Sequence, residues 1–137
     1  MTRFLLVTLG VLLSLVSASE TRAQSQLQMN RAASKDLRDA EAEMTRVLAL
    51  LFKMAESKPR ALAKLKQAQS AWQAFRDAHV KAYWPSDEPG AYGTRHPMCV
   101  AIELTRLTRA RVAELGEMLK RVEGDECACL WPHLTTA

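Results

Sequence analysis

The placement of proline and glycine constrains this chain more than any other feature. Prolines stand at 59, 85, 89, 97 and 132, and after Gly10 the glycines stand at 90, 93, 116 and 124. Three long stretches, 24–58, 60–84 and 98–115, contain neither residue. Each is rich in Ala, Leu, Lys, Arg, Glu and Gln, the strong helix formers. In the first, Leu37, Ala40, Met44, Val47, Leu48, Leu51 and Met54 recur at three- and four-residue steps. The second carries Leu62, Leu65, Ala68, Trp72, Phe75, His79 and Tyr83, and the third Leu104, Leu107, Leu115, Met118, Leu119 and Val122. Such spacing places each set on one helix face, and no stretch alternates with period two. The predicted class is all-α, an antiparallel bundle of about three long helices.

The breaks fix the connections. Pro59 and Pro97 suit the first turn of a helix, where a missing N–H costs nothing. Ser57-Lys58 is then a short link, which makes helices one and two antiparallel neighbours. Trp84-Pro85 ends helix two, because a residue before proline avoids helical geometry. Segment 85–96 holds two prolines and two glycines and is predicted to be a shaped loop. Gly116 weakens or bends helix three, and Gly124 is a stop signal. The domain therefore covers 24–124, followed by an irregular cysteine-containing tail, 125–137.

The first residues predict export. Arg3 precedes an apolar run from Phe4 to Val16, with small residues at Ser17-Ala18. This is the layout of a signal peptide over 1–23, cleaved after Ala18 or Ala23. The run is shorter than the ~20 residues a membrane span needs, and no second run follows, so no integral span is expected in the mature chain. Removing 1–23 takes away two arginines and one glutamate, leaving a net charge of +3. A mildly basic exported protein is drawn to anionic envelope polymers or lipid head groups, and export argues against nucleic acid. A charged fraction of 25% excludes disorder, and no Gly-rich phosphate loop is present.

Three cysteines in an oxidising compartment leave one unpaired: Cys99, Cys127 and Cys129. Either Cys99 pairs with a tail cysteine, which needs helix three to break early at Gly116, or Cys127 pairs with Cys129 across a tight ring. Two groups resemble soft-metal sites: His96, Met98 and Cys99, and Cys127, Cys129 and His133. Neither has the spacing of a zinc motif, so a disulfide plus surface histidines is preferred and no metal or other cofactor is assigned. No nucleophile motif or separated carboxylate pair points to catalysis, and the chain is read as a non-enzyme.

Segment 65–79, LKQAQSAWQAFRDAH, resembles the signature helix of the LprI-like lysozyme-inhibitor family, an AQxxWxxxRDxxC stretch. Ala68, Gln69, Trp72, Arg76 and Asp77 match it. Tyr92-Gly93-Thr94 is similar to the family's glycine-containing loop. Cys99 followed by Thr108, Arg111 and Leu115 is similar to its cysteine and TxxRxxxL helix, with Thr105 and Arg109 as the other possible register. The resemblance covers about 27–120 and implies lysozyme inhibition in the bacterial envelope. The family's helix-two cysteine is absent here, its place in that pattern being held by Val80 next to His79, and its cysteine near the mature N-terminus has no counterpart in 24–58, so the family's disulfide framework does not transfer.

The residues themselves suggest that Trp72 is a core anchor and that Arg76 and Asp77 organise the loop. Arg76 is expected to donate to loop carbonyls, and Asp77 to pair with a helix-three arginine such as Arg111. Target contact is assigned to the loop, with Ser86, Asp87, Glu88, Tyr92, Thr94, Arg95 and His96 as candidates. The predicted partner is lysozyme or another envelope protein. The competing reading is an envelope module that binds anionic polymer or lipid through basic helices.

Overall fold

The computed structural model describes residues 2–120, with side chains from Arg22 onward. Three helices follow one another: α1 (Thr2–Met54), α2 (Pro59–Tyr83) and α3 (His96–Leu119). No strand occurs among the described residues. Pro59 opens α2, and Pro97 lies in the first turn of α3. The helix α3 runs unbroken through Gly116, where a methyl group would meet nothing within 4 Å. The expected bend at that glycine is therefore absent, since one helical glycine costs only about 1 kcal/mol and packed neighbours hold the turn. The twenty residues from Cys99 to Leu119 rise about 30 Å. The eight from Leu119 to Cys127 reach at most ~29 Å, so a Cys99–Cys127 bond lies at the limit of the chain. The tail from 121 onward, with Cys127, Cys129 and His133, lies outside the described residues, and Cys99 has no disulfide partner among those described.

Pairwise contacts give the topology. Phe52 meets Lys66, Met44 meets Gln69 and Glu41 meets Arg76, so α2 runs antiparallel to α1. Gln69 meets Arg111 and His79 meets Glu103, so α3 runs antiparallel to α2. Helices α1 and α3 are therefore parallel, as the bond from Asn30 Nδ2 to the Thr94 carbonyl also requires. The bundle is up-down-up. Sequence proximity makes α1 and α2 neighbours, yet the closest backbone approach is between α1 and α3. Small buried side chains allow it: Ala33 and Ala40 on α1, and Ala101, Thr105 and Thr108 on α3. Helix α2 stands further off and reaches the others through long side chains.

The apolar core gathers Met44, Val47, Leu48 and Leu51 of α1, Leu65 of α2 and Leu115 of α3. Phe52, Trp72, Val112, Met118 and Leu119 pack against it. Most of the periodic residues of α1 and α3 point inward as predicted. On α2 the buried stripe is rotated from the predicted one. Leu65 and Gln69 are buried, with Trp72, Arg76 and His79 partly covered, whereas Ala68, Phe75 and Tyr83 are exposed. Polar Gln69 and Arg76 lie on the inner face because other helices supply their partners, a fact that hydrophobic periodicity does not register.

Leu51 is fully buried, so Leu51→Ala should cost about 2–5 kcal/mol in urea unfolding. The Thr108 hydroxyl is fully buried with no hydrogen-bond partner. Thr108→Val should therefore leave stability unchanged or raise it by roughly 1 kcal/mol, since it removes an unmet polar group at nearly constant volume. A clear loss of stability in that variant would show that the hydroxyl is satisfied in solution.

Candidate functional site: a braced loop at one end of the bundle

Motif residues from distant parts of the chain meet in one cluster. Gln69 Nε2 donates to the Met44 sulfur at 3.5 Å, and its Oε1 accepts from Arg111 Nε at 3.3 Å. The Trp72 ring carries two guanidinium groups, Arg76 at 5.5 Å and Arg111 at 6.0 Å from its centroid. Arg76 Nη1 then reaches Glu41 of α1 at 3.2 Å, and Arg111 Nη1 reaches Glu114 at 3.0 Å. Both arginine side chains are largely covered, 17% and 15% exposed. An arginine stacked on tryptophan gains cation–π attraction while its fork still donates in plane. On α3, Thr108, Arg111 and Leu115 face inward, Thr105 is also buried, and Arg109 is exposed. Trp72 serves as a partly covered anchor.

Two expected roles change. Arg76 donates to Glu41 and to Asp77 Oδ1, not to loop carbonyls, because its position two turns before the end of α2 faces α1. Asp77 is exposed and pairs with its neighbour Arg76 instead of Arg111, which α3 directs toward Gln69 and Trp72. These residues brace the bundle and leave the loop to other contacts. Ala68 is exposed and touches none of them by hydrogen bond.

The loop, residues 84–95, is ordered by its own side chains. Tyr92 Oη accepts from the Ser86 backbone N–H at 2.6 Å, and Ser86 Oγ accepts from Glu88 N–H at 3.2 Å. Backbone bonds run from Ala91 to Glu88, from Gly93 to Gly90 and from His96 to Gly93. Gly90 and Gly93 sit at φ of 81° and 69°, the left-handed region that glycine occupies without strain. Below the loop, rings form a continuous column. Phe75, His79, Tyr83, Trp84, His96 and Tyr92 follow one another at centroid spacings of 4.8–5.6 Å. Tyr92 and His96 are therefore spent on packing, with His96 the first residue of α3. Ser86, Asp87, Glu88, Thr94 and Arg95 remain exposed.

At the middle of that column His79 Nε2 lies 2.9 Å from Glu103 Oε1, and Glu103 also accepts from Arg106. The Arg106 hydrogen bond, helped by His79 against the effect of burial, pulls the Glu103 carboxyl down to about 2. Sequence reasoning missed Glu103 and Arg106; their i,i+3 spacing was the available signal. Among the described residues no three His, Cys, Asp or Glu side chains gather as a metal site, and Cys99, Met98 and His96 form none. A shallow groove of about 250 Å³ between α1 and α3 is lined by Asp39, Glu43, Arg46 and Arg109, with Arg46 already held by Glu43.

A family model described as lysozyme inhibitor LprI matches residues 17–115. The chain belongs to the LprI lysozyme-inhibitor family. It is 31% identical over 113 residues to an uncharacterized protein of Rhizobium meliloti (strain 1021), covering 74% of this chain and 79% of that one. No solved structure matches it. The family is one of lysozyme inhibitors. No described helix is long and apolar enough to cross a membrane.

The Glu103 carboxylate is held below its ordinary 4.5, so its contribution to stability is present above pH ~4.5 and is lost as pH falls toward about 2. Glu103→Gln should flatten the fall in stability across that window, as followed by circular dichroism in urea. An unchanged acid profile would show that Glu103 is not held by Arg106 and His79.

Proposed function

We propose that the mature chain is an exported, non-enzymatic lysozyme-inhibitor-like protein whose loop 84–95 enters the target's cleft. The observation that carries this reading is the bracing of the loop: the Tyr92 hydroxyl ties it across, and the aromatic column supports it from below. A loop already fixed in shape loses little conformational entropy on binding. Lysozyme chemistry uses a carboxylic acid and a carboxylate held across a cleft. A rigid backbone presenting Ser86, Thr94 and Arg95 suits such a cleft, while Asp87 and Glu88 suit a basic rim around it. These two carboxylates give the loop a local sign opposite to the mature chain's net +3, which offsets the repulsion expected between two basic proteins.

Polymer binding along the helices has less support. Several cations on the helix bodies are matched by neighbouring acids, Lys35 with Asp39, Arg46 with Glu43, Arg106 with Glu103 and Arg111 with Glu114, whereas Arg31, Arg38, Lys81 and Arg109 have no such partner among the described residues. Such pairs lower the charge available to a polyanion.

The purified mature chain should inhibit animal-type lysozyme in a dose-dependent manner, and replacing 85–95 by a Gly/Ser linker should abolish it. Tyr92→Phe keeps the ring but not the tie to Ser86, and should weaken inhibition by roughly tenfold with no change in helix content. Inhibition that survives linker replacement would move the contact off the loop. No inhibition at micromolar protein would remove the lysozyme reading.

A further inference from the structure

The end of the bundle opposite the loop has a distinct charge. Five cations lie within fourteen residues where α1 passes into α2, Lys53, Lys58, Arg60, Lys64 and Lys66, with Glu56 the one acid of that segment; Glu114 and Glu117 of α3, which ends at the same tip, are held by Arg111 and Lys120. All five cations are exposed, and none is paired with an acid among the described residues, unlike Lys35, Arg46 and Arg106 of the helix bodies. Lys66 lies 5.8 Å from the centre of the Phe52 ring, which brings the cations of the two helices to one tip. Leu50, 54% exposed, shares a face with Lys53 and Met54.

We propose that this tip docks on an anionic phospholipid surface. The shape of the patch favours lipid over a linear polyanion. Cations capping one end of a bundle can meet a plane together, whereas a linear polymer is served by a long stripe of cations along a helix. Leu50 interleaved with lysines fits the head-group boundary, where apolar contact adds to electrostatic attraction. Helix α2 is 25 residues long, so docking by the tip holds the loop about 37 Å from the bilayer, facing outward. The proposal does not depend on what the loop binds.

The test is co-sedimentation of the mature chain with vesicles of phosphatidylcholine alone and of phosphatidylcholine with phosphatidylglycerol. Binding is expected on the anionic vesicles only and should fall steeply with salt. The variant Lys58→Glu, Arg60→Glu, Lys64→Glu should lose at least about tenfold in affinity. The control Arg38→Glu, Lys81→Glu, which reverses exposed cations elsewhere, should bind as the parent does. Leu50→Ala should weaken vesicle binding severalfold with unchanged helix content. Equal binding to both vesicle types, or an unaffected tip variant, would overturn the proposal. Tight binding of soluble polyphosphate together with an unaffected Leu50→Ala would overturn it in favour of a polymer partner. Lysozyme inhibition by the tip variant, measured in parallel without vesicles, reports on the loop alone.

Discussion

Trp72 and the two arginines stacked on it join the three helices. Arg76 extends from the ring to Glu41 on α1, and Arg111 brings α3 to Gln69 on α2. The apolar core alone is small, with six closely packed buried side chains, all near the α1–α2 turn. Toward the middle of the bundle, α2 is held by polar and aromatic contacts in place of leucines. Buried or half-buried arginines are tolerated only when each donor finds an acceptor or a π face, and here both do. The orientation of α2 fixes where its last turn ends, and hence where the aromatic column and the loop begin.

Much of this was legible in the sequence. The proline and glycine positions located all three helices, because proline's missing N–H and fixed φ act locally. The faces of α1 and α3 were readable because they are apolar. The face of α2 was not: Gln69 and Arg76 look like solvent residues until their partners on other helices are known. For the same reason Arg76 was assigned to the loop and Asp77 to Arg111. The close pairing of α1 with α3 was equally hidden, since small residues such as Ala40 and Thr105 carry little periodic signal while permitting near backbone contact.

At the site, sequence marked the loop and its candidates but not its division of labour. Tyr92 and His96 looked like contact residues and prove to be internal supports, through bonds and ring contacts that depend on the path of the chain. Ser86 has a double part, exposed yet tied at its backbone. His79 links α2 to Glu103 on α3 by a polar contact.

The parallel course of α1 and α3 bears on how the chain assembles. Residues such as Asn30 and Thr94 that meet across this interface are 64 positions apart, so the densest backbone contact is also the most remote in sequence. Closing so large a loop carries its entropy cost before the contacts can repay it. The hairpin of α1 and α2 has a four-residue connection and can form locally. Docking of α3 covers Ala33 and Ala40 and brings His96 under Trp84 and Tyr92, so the support of the loop depends on that long-range contact.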